Sequence, residues 1–89
     1  IPKHGPPTHP GEMLLEEFLT PLGMSQAEAA RRMKIPVNRL NELVKGKRGV
    51  TAGTALKLAK QFKTTPQYWM ALQANRDLYF AQKAQRRSA

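Results

Sequence analysis

The chain is 89 residues long with no cysteine, and fifteen Lys and Arg against six Asp and Glu give it a formal net charge of +9. That length allows one small domain and excludes a second core, while the lack of Cys excludes disulfides, cysteine-ligated zinc and thiol catalysis. No apolar run approaches the roughly 20 residues of a spanning helix, so a soluble cytosolic protein is expected, stabilised by helix packing or by oligomerisation.

Residues 1–8, with Pro2, Gly5, Pro6 and Pro7, read as a flexible extended arm. His4 and His9 are the two histidines, and they read as solvated linker residues rather than as a metal pair. From Pro10 the pattern is helical: Met13, Leu14, Leu15, Phe18, Leu19 and Leu22 recur at three- and four-residue spacings. Thr8 or His9 serves as its cap, Glu12 suits the first turn, and Pro21 and Gly23 end the helix. Ser25 and Glu28 form a capping box, so a second, short helix begins at Gln26 and carries Ala27, Ala30 and Met33 inward. Lys34, Ile35 and Pro36 make a tight connection to a third helix, from Pro36 or Val37 to Val44, which buries Leu40, Leu43 and Val44 and exposes Asn38, Arg39, Asn41 and Glu42. Gly46 caps it. Thr51 caps a fourth helix with Ala55, Leu58, Ala59 and Phe62 on one face, and Thr65 with Pro66 opens a fifth that meets no Pro or Gly as far as residue 89. No segment alternates like a strand, so the expected fold is all-α with five helices: an arm over residues 1–8, a domain over 9–80, and a basic tail or helix extension over 81–89.

The charge is localised. Residues 1–30 hold Lys3 against Glu12, Glu16, Glu17 and Glu28, for a net −3, and residues 64–89 carry a net +3. Between residues 31 and 63 lie ten bases (Arg31, Arg32, Lys34, Arg39, Lys45, Lys47, Arg48, Lys57, Lys60 and Lys63) against Glu42 alone, a net +9. Repulsion on that scale costs stability unless a polyanionic partner compensates.

Two short helices joined by a three-residue turn, with Ala30 small at their crossing, make a helix-turn-helix. The stretch SQAEAARRMKIPVNRLNELVKGKRGVTAGTALKLAKQF resembles the lambda-repressor-like helix-turn-helix domains, and HPGEMLLEEFLTPLGMSQ upstream with TTPQYWMALQ downstream narrows the resemblance to the HigA-type antitoxins and related regulators. It implies the five-helix lambda-repressor-like fold, a dimer on an inverted-repeat operator of double-stranded DNA, and a small ribosome-associated, RNA-cleaving toxin as protein partner. The turn of such domains often holds Gly where this chain has Lys34; if that position needs positive φ, Lys34 costs about 1 kcal/mol.

The residue chemistry agrees with that implication. Val37, Asn38, Arg39 and Asn41 suit base readout in a major groove: Arg39 for a guanine, Asn38 or Asn41 for an adenine, Val37 for a thymine methyl. Gln26 at the start of the second helix, with Lys45, Lys47 and Arg48 after the third, suits phosphate contacts. Trp69, Leu72 and Tyr79 are the candidate dimer interface, because the aromatic residues of the fifth helix surround its axis. The acidic Glu12, Glu16 and Glu17 are a candidate surface for a basic partner. No metal site, cofactor or catalytic constellation is expected, since there is no histidine near a nucleophile, no phosphate loop and no dinucleotide fingerprint. Two alternatives stay open: a stand-alone regulator without a toxin, and an RNA-binding module using residues 46–49 as a G-x-x-G loop, against which stands the absence of strand-like segments.

Overall fold

The computed structural model describes residues 6–88, and the regular structure among them is entirely helical. Helix α1 covers residues 10–22. It opens as the α-helical Pro10–Leu14, passes through a π-helical stretch Leu15–Leu19 and closes with one α-turn, Thr20–Leu22. Helices α2 (Gln26–Met33), α3 (Val37–Val44), α4 (Ala52–Phe62) and α5 (Pro66–Ser88) follow.

The π-helical stretch has a local cause. Pro21 lies inside the final turn of α1, where it has no N–H to donate and where its ring excludes the carbonyl four residues back. One turn of wider winding just before it, with Thr20 N–H reaching the Leu15 carbonyl, gives the Glu17 carbonyl room. The widening also brings Leu14 and Leu19, five residues apart, onto one buried face. Pro21 therefore reshapes the helix, and Gly23, at φ 64°, ends it.

The start of α1 corrects the reading of His9 as a solvated linker residue. His9 is only 8% exposed, and its Nδ1 accepts the Gly11 N–H at 2.9 Å as the helix N-cap. Arg76 on α5 donates to the Pro7 carbonyl at 2.7 Å, so the end of the arm is fastened to the far side of the domain. His4 lies outside the described residues.

The core is one cluster. Phe18 of α1 packs between Phe62 of α4 and Trp69 of α5, with ring centroids 5.4 and 5.3 Å apart, and the Trp69 indole N–H donates to Thr64 Oγ1 at 2.7 Å. Leu14, Leu19, Leu40, Leu43 and Leu58 fill the space around it. Helix α2 turns Ala29, Ala30 and Met33 inward rather than Ala27, which lies two residues before Ala29 and hence on the opposite side of the helix. Helix α4 packs along α5, and α1 crosses α3 and reaches α5. The α1–α3 crossing is a close backbone approach: a Cβ built on Gly11 would overlap the Leu43 carbonyl and come within 2.9 Å of Val44 Cα. Helix α5 continues past the core, with residues 80–87 all exposed.

Two outcomes follow from this packing. Gly11→Ala forces α1 off the α3 backbone and should destabilise the fold by about 3 kcal/mol or more in urea unfolding; a loss under 1 kcal/mol would mean the crossing is looser than described. Burial first, and Arg76 second, push the His9 pKa below the usual imidazole value, against a weaker opposite pull from Glu12 and Asp77. The neutral cap therefore contributes stability that is present above about pH 6.5 and is lost as pH falls through the lower folded-state value. Melting temperature should drop on acidification from about pH 7 to 5 in the native chain, and less in His9→Asn, whose amide oxygen caps without titrating.

Candidate nucleic-acid interface

Helices α2 and α3 form the helix-turn-helix, and each joint has a physical reason. Ser25 Oγ accepts the Glu28 N–H at 3.1 Å, which starts α2. The Glu28 carboxylate turns outward to Arg31 and Arg32, whose hydrogen bonds pull its pKa down from the usual carboxylate range to about 2. At the end of α2, Lys34 adopts left-handed angles, φ 59° and ψ 46°, so the turn does need the conformation that glycine provides most readily. Ile35 is buried beneath that turn, its N–H bonded to the Ala30 carbonyl, and Pro36 in extended conformation opens α3.

The residues of α3 then divide, with Val44, expected in the core, only half-buried. Leu40 and Leu43 are buried against α1 and α2, while Val37, Asn38 and Arg39 stand exposed on the first turn. Val37 is 50% exposed, which is unusual for a β-branched apolar residue on a helix that has a core to face. Arg39 makes no side-chain hydrogen bond or ion pair among the described residues; Glu42 instead holds Arg48, with Oε1 at 2.9 Å from the guanidinium. Asn41, expected on the exposed side, is half-buried, and its Nδ2 donates to Gln26 Oε1 at 3.1 Å. Lys45, Lys47 and Arg48 are exposed in the loop after α3, where Gly46 takes φ 77°.

That loop is held from behind by a residue the sequence reading passed over. Gln73 on α5 accepts the Val50 N–H at 2.8 Å through Oε1 and donates from Nε2 to Asp77 at 2.9 Å. No motif marks such a contact, since its partners are 23 residues apart. The structure also redistributes the charge. Arg32, Lys34, Lys57 and Lys60 line a separate cleft of about 330 Å³ with Met33 and Gln61, and no residue of α3 enters it. The bases of residues 31–63 therefore do not share one surface: Arg32, Lys34, Lys57 and Lys60 face this cleft, and Lys45, Lys47 and Arg48 stand in the loop after α3.

The candidate dimer residues fare differently. Trp69 is 0% exposed within its own domain, so it belongs to the core and offers nothing to a second copy. Leu72 and Tyr79 are half-buried, and Leu78 and Phe80 are exposed beside Tyr79. Among the described residues, no group of His, Cys, Asp or Glu is arranged to hold a metal ion, and no helix is long and apolar enough to cross a membrane.

An eight-residue helix with a polar first turn, set on a tightly crossed partner and flanked by cations, is the hallmark of a helix-turn-helix domain. The helix-turn-helix family model matches residues 15–69. Virulence-associated protein I of Dichelobacter nodosus is 41% identical over 88% of this chain and 72% of its own. Antitoxin HigA-1 of Vibrio cholerae is 39% identical over 82% of this chain and 69% of its own. Among solved structures, the Pseudomonas aeruginosa antitoxin HigA with the higBA promoter is 38% identical, with a TM-score of 0.88 over 92% of this chain and 89% of that one. The chain belongs to the helix-turn-helix family, in its lambda-repressor-like, HigA-type branch.

The strained turn gives a direct check on this geometry. Lys34→Gly removes a left-handed penalty of about 1–2 kcal/mol and adds about 0.4–1 kcal/mol of unfolded-chain entropy. The variant should be more stable by about 0.5–1 kcal/mol in chemical unfolding; a destabilised variant would contradict the angles assigned to Lys34.

Proposed function

We propose that this protein is a sequence-specific DNA-binding repressor that occupies an inverted-repeat operator as a homodimer, and that it is the antitoxin of a HigBA-type module, neutralising a small RNA-cleaving toxin. The observation that carries the DNA reading is the first turn of α3: Val37, Asn38 and Arg39 are all exposed there, while Leu40 and Leu43 seat the helix in the core. Gln26 is hydrogen-bonded to α3 at Asn41, and Lys45, Lys47 and Arg48 are exposed in the loop that follows the helix. This is the arrangement a major groove needs, with base-reading groups on the axis and phosphate-binding groups at the walls.

In this reading Arg39 forks onto a guanine through O6 and N7, Asn38 pairs with an adenine, and Val37 packs on a thymine methyl. The phosphate contacts fix depth and register without choosing sequence. Leu72, Tyr79, Leu78 and Phe80 on α5 supply the face for the second copy, which sets two α3 helices about one DNA turn, roughly 34–36 Å, apart. The antitoxin role is supported by the likeness to HigA proteins. The role is one of binding rather than catalysis, exercised in the cytoplasm where the operator lies.

Fluorescence anisotropy on the duplex upstream of the protein's own gene tests the reading. Arg39→Ala or Asn38→Ala should narrow the gap between operator and mismatched duplex by about 1–3 kcal/mol. Lys47→Ala and Arg48→Ala should weaken specific and non-specific binding alike. With four to six phosphates neutralised per monomer, the bound dimer should show a log–log salt slope of about −7 to −11. If Arg39→Ala leaves both affinity and preference unchanged, α3 is not the reading element. Co-expression with the neighbouring small open reading frame, which should restore growth only when this chain is present, tests the antitoxin role.

A further inference from the structure

Helices α2 and α4 both end in a left-handed lysine, Lys34 at φ 59° and Lys63 at φ 56°, where glycine is the less strained residue. Both side chains are exposed and form no ion pair among the described residues. They line two recesses that share Arg32 and Gln61 and are therefore continuous. From that juxtaposition we infer that the two recesses form one site for a nucleoside polyphosphate, with the phosphates in the cationic cleft and the base in the apolar groove beside it. The site lies apart from α3 and does not depend on the DNA-binding reading.

The cleft of about 330 Å³ has Arg32, Lys34, Lys57 and Lys60 in its lining and no carboxylate. Lys57 is held at the end of α2, its Nζ donating to the Met33 carbonyl at 3.3 Å. Glu28 takes the Nε of Arg32, which leaves the two terminal nitrogens of that guanidinium without a hydrogen bond among the described residues. A cation near each helix end answers the dipole, and the surplus repels itself until an anion enters. That anion has to bring several charges into a small volume. An acidic peptide spreads its charges, because successive side chains of an extended chain point to opposite faces and those on one face of a helix stand about 5–6 Å apart. A diphosphate carries them on two adjacent phosphorus atoms, with oxygens that accept from lysine and from the terminal guanidinium nitrogens together.

The adjoining groove, about 480 Å³, decides which phosphate compound fits. Phe18, Pro21, Leu22, Met24 and Phe62 line it, with Leu22 60% exposed there. Both volumes lie in the range of small-ligand sites, and a planar base covers such an apolar wall. Glu17 stands in the groove lining with Lys63 and is absent from that of the cleft. Its carboxylate repels phosphate and accepts from ribose hydroxyls or an exocyclic amine, so the ligand has one favoured direction, phosphates toward Lys34, Lys57 and Lys60. Arg32, common to both recesses, lies where the two parts of the ligand join.

Amide chemical-shift titration of the native chain with adenosine diphosphate, pyrophosphate and adenosine, at a constant ionic strength of about 0.15 M, tests the site. The diphosphate nucleotide should give saturable changes at residues 32–34, 57 and 60 and at residues 18, 22 and 62. Pyrophosphate should move the first set alone, and adenosine should bind at least about tenfold more weakly than the nucleotide. Lys34→Gly and Lys60→Gln should each lower nucleotide affinity about threefold, as expected of exposed cations. Lys34→Gly should do so while raising the melting temperature, which separates lost binding from lost folding. Nucleotide changes spread equally over Lys45, Lys47 and Arg48, or nucleotide affinity unaltered in both variants, overturn the inference. Pyrophosphate binding as tightly as the nucleotide, with residues 18, 22 and 62 unmoved by either, overturns the nucleoside assignment, and an oligoglutamate peptide that saturates the cleft more tightly than the nucleotide overturns the phosphate one.

Discussion

An eight-residue helix does not hold in water by itself. Everything the protein presents through α3 therefore depends on what grips that helix from behind. The grip is unusually direct: Gly11 brings the backbone of α1 against the backbone of α3 at Leu43 and Val44, and Leu40 and Leu43 fill the remaining inner face. A contact between backbones has no rotamers to adjust, so it fixes the depth and axial position of α3. Ala30 does the same for the crossing with α2 by staying small. The exposed turn at residues 37–39 is thus carried on a helix that is seated by backbone contact near its C-terminal end and by Leu40 and Leu43.

The remaining elements hold that arrangement together. Phe18, Phe62 and Trp69 tie α1, α4 and α5 into one aromatic cluster, which is how a chain without disulfides builds an adequate core. Helix α5 does more than cover the core. Its Gln73 holds the loop that carries Lys45, Lys47 and Arg48, and its Arg76 fastens the chain ahead of α1. One helix thus supports the loop after α3 and the entry to the helix that backs it, while its far end stands exposed.

Local chemistry made most of this legible beforehand. Ser25 and Thr51 announce helix starts by side-chain geometry that involves only the next few residues, and both cap as their spacing implies. Gly46 with positive φ, and the left-handed Lys34 at a turn where related domains often have Gly, are likewise local. What escaped was long-range or counterintuitive. The π-helical stretch arises from Pro21 acting backwards along the chain, which a spacing count cannot detect. His9 was legible as one of two candidate caps, but it was also read as solvated, and its burial in the folded domain has no local signal. Trp69 looked available for a partner until Phe18 packed against its ring, and the Gln26–Asn41 bond joins residues that no motif relates. Charge was legible in amount and not in direction: Arg32, Lys34, Lys57 and Lys60 share a cleft apart from α3, although in sequence they lie on either side of the bases in and after that helix.

The central claim is that the first turn of α3 enters the DNA groove while the groups on either side meet the phosphates. Amide chemical-shift mapping on the labelled protein, titrated with the duplex upstream of its own gene, addresses this residue by residue. The largest changes should fall at Gln26, at residues 37–39 and at residues 45–48, with those lining the Lys57 and Lys60 cleft little affected. Maximal changes in that cleft or along α1, with residues 37–39 unmoved, would contradict it.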